Sequence, residues 1–156
     1  MNVFLLSAKD TMNHLLLQET FDNFSFIEGE ITTFNRFTMD GYLHKEFFDE
    51  PPRQEYSCWR DMRGYSLELI RGKRTPLSFR IVLSLAPEQF PAFLESHELS
   101  AFRPEEIRGL YLNFQYDGQA LQCVTGISLS TFSLDKSLEH QWDEYAKELL
   151  KSWIIE

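Results

Sequence analysis

Cysteine is nearly absent from this sequence of 156 residues, which holds only Cys58 and Cys123, 65 positions apart. They form no C-x-x-C or ladder pattern, and this excludes a disulfide scaffold. Two such thiols are expected to be small, buried side chains in a reducing compartment. Long apolar runs are missing too: none approaches the roughly eighteen residues of a membrane span. The opening Met-Asn-Val-Phe-Leu-Leu lacks the basic region of a signal peptide, so the chain is expected to be cytoplasmic, with no membrane partner. Bases are scarce, 15 Lys and Arg against 24 Asp and Glu for a net charge of −9, which on average repels polyphosphates and anionic membranes.

Catalytic signatures are also wanting. Gly72-Lys73 is followed by Arg74 where a phosphate loop needs Ser or Thr, and Leu67 stands where its first glycine belongs. Gly126-Ile-Ser128-Leu-Ser130 lacks the second glycine of a nucleophile elbow. His140 and Glu144, one helical turn apart, supply half a metal site, and a site needs three or four converging ligands. Glu28 and Glu30 would share one face of a strand and could act as an acid–base pair, but solvated edge charges are the commoner role of such residues. We therefore expect no metal, no cofactor and a protein closer to a binding module than to an enzyme.

What the chain has is an order that repeats. A shift of 77 residues lays Leu6-Ser7 on Leu83-Ser84, Glu28 on Glu105, Phe34 and Phe37 on Tyr111 and Phe114, and Asp40-Gly41 on Asp117-Gly118. Each half runs strand, short helix, long strand, Asp-Gly turn, returning strand, helix. The fold class this implies is α+β, a largely antiparallel sheet with about four helices, in one domain of two β-α-β-β-α half-repeats, 1–72 and 77–156. A domain of this length buries about 70% of its unfolded surface without staples.

In the first half, Val3 to Leu6 reads as a strand, Ser7 with Asp10 as a helix start, and Phe24 to Phe37 as strands. Asp40-Gly41 is predicted to make a type I′ hairpin turn, with the chain returning as a strand to about Phe48. Asp49 to Gln54, with Pro51-Pro52, is the linker. Trp59 to Arg71 places its apolar residues on one arc of a helix, which Gly72 would end in the left-handed conformation. In the second half, Ser78 to Leu85 alternates as a strand. A two-turn helix follows at about 88 to 96 with Pro91 in its first turn. Ile107 to Tyr116 pairs with Gln119 to Thr125 through Asp117-Gly118, Gly126 breaks the run before a further strand from Ile127 to Ser133, and a long amphipathic helix from Leu138 to Trp153 closes the chain.

One segment departs from the acidic average. Residues 58 to 80 hold six bases, Arg60, Arg63, Arg71, Lys73, Arg74 and Arg80, against Asp61 and Glu68, which makes this stretch +4 in a chain of −9. Arg60, Arg63 and Arg71 fall along one flank of the predicted helix, with Lys73 and Arg74 just beyond it. Guanidinium groups bind phosphate or carboxylate bidentately, and Trp59 beside Arg60 could add a stacking surface. The flank Arg60, Arg63, Arg71, Lys73 and Arg74 is thus the candidate ligand-binding site, for an anionic ligand or an acidic protein partner; nucleic acid is disfavoured by the net charge. The plainer role of the same residues is to complement the helix dipole and the acidic surplus. Arg60 and Arg63 lie off the apolar arc, so charge reversal there should leave the fold nearly intact if they serve a ligand.

The segments Ile31 to Gly41 and Leu69-Ile-Arg-Gly-Lys-Arg-Thr-Pro-Leu-Ser-Phe79, with Tyr116-Asp-Gly118 to Thr131-Phe132 and Asp135-Lys136, resemble an uncharacterised bacterial family of small cytoplasmic proteins. The resemblance covers nearly the whole chain. It implies a common fold and transfers no catalytic residue. In topology alone, the repeat is similar to that of DNA sliding clamps, but Asp10, Glu19, Glu88 and Glu95 on the first and third helices argue against encircling DNA. Two further readings stay open: an assembly protein that uses its exposed aromatic residues, and a small hydrolase or transferase whose residues converge only in three dimensions.

Overall fold

Stretches of alternating aromatic and β-branched residues form six strands, and these hydrogen-bond into one antiparallel sheet. The computed structural model describes residues 1–155. In chain order it contains β1 (Val3–Leu6), α1 (Ala8–Met12) continued by a π-helical turn (Asn13–Leu17), β2 (Ser25–Thr32), β3 (Arg36–Asp40), α2 (Trp59–Ile70), β4 (Ser78–Ser84), α3 (Phe90–Ser96), β5 (Ile107–Tyr116), β6 (Leu121–Leu129) and α4 (Ser137–Leu150). The strand order is β1-β6-β5-β4-β2-β3. The fold is therefore α+β, an open six-stranded antiparallel sheet with four helices. No helix among the described residues is long and apolar enough to cross a membrane.

Period-two alternation sorts the side chains between two unlike faces. On one face Phe26, Ile31, Phe79, Ile81, Leu83, Leu110, Leu112, Phe114, Leu121 and Cys123 are buried in one core with Phe21, Trp59, Trp142 and Leu150. The other face is polar and partly exposed. Glu28, Val82, Asn113 and Val124 form one row across β2, β4, β5 and β6, and Glu30, Arg80, Gln115 and Gln122 form the next. Gln122 donates to Gln115 at 2.9 Å, Arg80 meets Glu28 at 3.4 Å, and Arg36 meets Glu30 at 2.9 Å. Glu28 and Glu30 do share a face, each held by an arginine.

Local signals act at three element ends. The Ser7 side chain accepts from Asp10 N, as a helix start requires. Pro91 sits in the first turn of α3. The β5–β6 turn carries Gly118 at φ 97°, and the Asp117 carboxylate accepts from Gln119 N and Ala120 N at 2.9 and 2.8 Å. Those bonds favour the charged form and hold Asp117 below the ordinary carboxylate range.

Several local expectations fail in the folded chain. Asp40-Gly41 makes no hairpin turn: the β2–β3 connection is Thr33 to Asn35, closed by Thr33 N donating to Asn35 O at 2.9 Å. Gly41 lies where a Cβ would stand 1.9 Å from the Phe26 carbonyl oxygen, so its glycine serves a close backbone approach. Tyr42 then forms only an isolated bridge to Tyr56 instead of beginning a strand. Gly72 is not in the left-handed region, and α2 ends through an extended Arg71. Gly126 does not break β6, which passes through it opposite Tyr111 and ends at Leu129. Cys123 is buried, but Cys58 is only half-buried.

The order of elements repeats between the halves, yet the pairing does not. β1 is an edge strand, while β4, its counterpart, lies between β5 and β2. A two-fold would require equivalent neighbours.

The end of α3 supplies a stability test. Glu98 N donates to Glu95 O and Leu99 N to Leu94 O at 3.2 and 2.9 Å, the Schellman arrangement, and Glu98 takes the left-handed position at φ 55°. A side chain there costs roughly 1–2 kcal/mol that glycine avoids. Glu98→Gly should raise the urea midpoint, by about 1 kcal/mol of added stability with an unchanged slope.

Candidate functional site

The five predicted cations are carried by α2 and the loop that follows it, and the fold separates them into two groups. The first group stands where α2 begins. Trp59 is fully buried, its indole N–H donates to Leu15 O at 2.8 Å, and its backbone N–H donates to Phe24 O at 2.8 Å. This anchors the helix against the turn at residues 20–24. Arg63 then reaches Asp22 through both Nε and Nη2, at 2.8 and 3.1 Å. Asp22 is 6% exposed and Arg63 22%. The bond to the carboxylate raises the guanidinium pKa further above its ordinary value. Arg60 Nη2 donates to Asn23 Oδ1 at 2.8 Å, and Cys58 Sγ donates to Asp22 O at 2.7 Å.

Arg63 is thus an internal ion pair that ties α2 to the preceding turn, which corrects its expected freedom to change charge without affecting the fold. Trp59 is likewise core and offers no stacking surface.

The second group surrounds the carboxyl end of α2. Arg71 meets Glu68 at 3.3 Å, one helical turn back. Lys73 and Arg74 pair with no acid among the described residues. Together these three rim a groove of about 730 Å³ between the α2–β4 loop and the β2–β3 turn. Phe34, Phe37, Leu69 and Leu77 supply its apolar walls, and Phe34 and Leu77 are 87% and 66% exposed. Phe34 meets Phe37 edge to face at 6.0 Å. The macrodipole makes this helix end slightly negative, which favours the three cations in place without a ligand.

Sequence reasoning located the basic loop but missed Phe34 and Leu77, whose signal was available: large apolar residues beside a turn and a proline. It also missed Asp22, for which no local signal exists, since its partner is 41 positions away.

A family model described as a family of unknown function, DUF5721, matches residues 14–156. The chain belongs to this family. Membership of DUF5721 spans β2 to β6, all of α2 and the groove, and assigns no activity to any of them. Comparison with curated proteins and with solved structures finds no match.

Several other reactive side chains are packed into the DUF5721 fold. Burial pushes the Cys123 thiol far up, so it is not a thiolate at neutral pH. Desolvation likewise raises Tyr111. His97 Nδ1 lies 2.8 Å from Phe93 O, and its ring packs on Phe93. His14 pairs with Thr20 and lies against Trp153. No group of three or more His, Cys, Asp or Glu gathers as a metal site among the described residues.

Proposed function

We propose that this protein is a non-enzymatic binding module whose groove beside the α2–β4 loop takes an acidic protein segment with an apolar anchor. The observation that carries the reading is the pairing, in one groove, of unpartnered Lys73 and Arg74 with exposed Phe34 and Leu77. Cations alone would suit any anion, and apolar walls alone would suit any hydrophobe. The two together suit a chain that presents carboxylates around an aromatic or aliphatic side chain. Nucleic acid is a poorer occupant because the net charge of −9 opposes a polyanion as long as a duplex. Arg71 contributes less, since Glu68 already shares its charge; Arg63 is paired with Asp22, and neither it nor Arg60 lines the groove.

The test is calorimetric titration with a synthetic peptide of alternating Asp and Glu around a single Trp, with inorganic polyphosphate and a short oligonucleotide as comparators. The peptide should bind, weaken as salt rises because the charges are solvent-exposed, and lose at least about tenfold in affinity to the Lys73→Glu/Arg74→Glu variant, equivalent to about 1.4 kcal/mol. Equal affinity of variant and wild type would overturn the reading. Binding of polyphosphate but not peptide would transfer the site to small anions.

A further inference from the structure

The sheet treats its two edges differently. At the carboxyl end of β1 residues 153–155 cover the edge: Ile154 bridges Leu6, Ser7 N donates to Trp153 O at 2.7 Å, and Ile155 N donates to Leu5 O at 3.0 Å. Along β3 there is no such cover among the described residues. Gly41 N donates to Ile27 O and Thr33 N to Asn35 O, and the register pairs Gly29 with Met39 and Ile31 with Phe37. Antiparallel alternation therefore spends the backbone groups of Phe37 and Met39 on β2 and turns those of Arg36, Thr38 and Asp40 outward. An unpaired row of this kind is a template for another strand.

The side chains on this edge indicate which strand. About Thr38 the segment complements itself at its apolar and charged positions, though not at Asn35 and Gly41. Phe37 and Met39 flank Thr38, then Arg36 and Asp40, and four residues away on either side stand Phe34 and Tyr42, 87% and 47% exposed. Charge makes the same point. Asp40 lies directly opposite Glu28 across β2–β3, an unfavourable like-charge pair. Arg80 serves Glu28 at 3.4 Å, and no cation serves Asp40 among the described residues. Arg36 is 70% exposed and reaches back only to Glu30.

We propose that β3 pairs antiparallel with β3 of a second copy about a two-fold axis at Thr38, joining the two sheets into one. The axis sets Arg36 against Asp40 of the second copy, Phe37 against Met39, and Phe34 against Tyr42. The pairs at Thr38 and at Arg36–Asp40 exchange their outward N–H and C=O groups. Moving the axis to Phe37 would bring Asp40 opposite Phe34 and leave it without a cation, so charge selects the register. The interface is isologous and closes at two copies. The interface shares Phe34 and Phe37 with the groove but not Lys73 or Arg74, so the Lys73→Glu/Arg74→Glu variant separates the two readings and should keep the dimer mass.

Light scattering on the eluting full chain at about 100 µM, a concentration high enough to populate a weak dimer by mass action, should give twice the 18.5 kDa chain mass. Thr38→Pro removes the outward N–H, and an edge strand tolerates proline where that group faces solvent. This variant should keep the wild-type circular dichroism and elute as a monomer. As a check that does not depend on proline, Asp40→Arg alone should also give a monomer, and Arg36→Asp with Asp40→Arg should restore the dimer. A monomeric wild type at that concentration overturns the proposal. So does a dimer that survives both Thr38→Pro and Asp40→Arg, or a double variant that stays monomeric.

Discussion

Trp59→Ala should be the most destabilising single change on α2, with a loss of about 3–5 kcal/mol in chemical denaturation. The indole is fully buried and lies 5.5 Å from the Phe26 ring, centroid to centroid. Its removal opens a cavity where the sheet, α2 and the π-helical turn meet. The Leu15 carbonyl, one of the last of its helix and so without an intrahelical partner, loses its only donor from that indole. In a chain of this length each kcal/mol moves the melting temperature by about 2–4 °C, so a fall of about 6–20 °C is expected. Trp59→Phe separates the two causes: it keeps most of the volume and orphans the carbonyl, for a smaller loss of about 1–3 kcal/mol. Equal losses in the two variants would show that the hydrogen bond, not the packing, holds the joint.

Arg63→Ala should cost about 2–3 kcal/mol, and Arg60→Ala less than about 1 kcal/mol, although both are arginines on the same turn of the same helix. The difference lies in what each leaves behind. Removing Arg63 strands the Asp22 carboxylate, 6% exposed, without the bidentate donor that offsets its burial. The expected cost falls below the roughly 3–5 kcal/mol of a fully buried pair because Arg63 itself keeps 22% of its exposure. Removing Arg60 frees an exposed amide of Asn23 that water can satisfy. The double variant Asp22→Asn/Arg63→Met should recover part of the loss, since neither buried charge then lacks a partner. Arg63→Ala within about 0.5 kcal/mol of wild type would return Arg63 to the list of residues free to serve a ligand.

The two arginines also show why the cationic flank was only half legible. A helical wheel locates Arg60 and Arg63 off the apolar arc, which is correct as geometry on α2. Whether an off-core arginine faces solvent depends on what the chain folds beside it, and Asp22 comes from a turn 41 positions earlier. Lys73 and Arg74 meet no acid among the described residues, and the groove they rim is walled by Phe34 and Phe37 of the β2–β3 connection. The Asp40-Gly41 signal failed for a related reason. Asp-Gly is strong hairpin chemistry in isolation, and Asp117-Gly118 does lie in the turn between β5 and β6, although that turn takes four residues, Asp117 to Ala120, instead of the two expected, and Tyr116 pairs with Leu121. At Gly41 the same dipeptide is needed to let the backbone pass the Phe26 carbonyl, and a shorter turn at Thr33 to Asn35 makes the hairpin instead.

By itself the sequence determined the fold class, the four helices, most of the strands and the position of the basic loop. These follow from periodicity, capping and turn chemistry, which act over a few residues. Only the tertiary structure decided that β1 lies at one edge and β4 at the centre, that Arg63 is spent inside the fold while Lys73 and Arg74 are not, and that one sheet edge is covered and the other open. Those outcomes depend on strand order and on ion pairs between distant segments. Their energies are set by burial and by which groups meet, and neither is a property of any local stretch of chain.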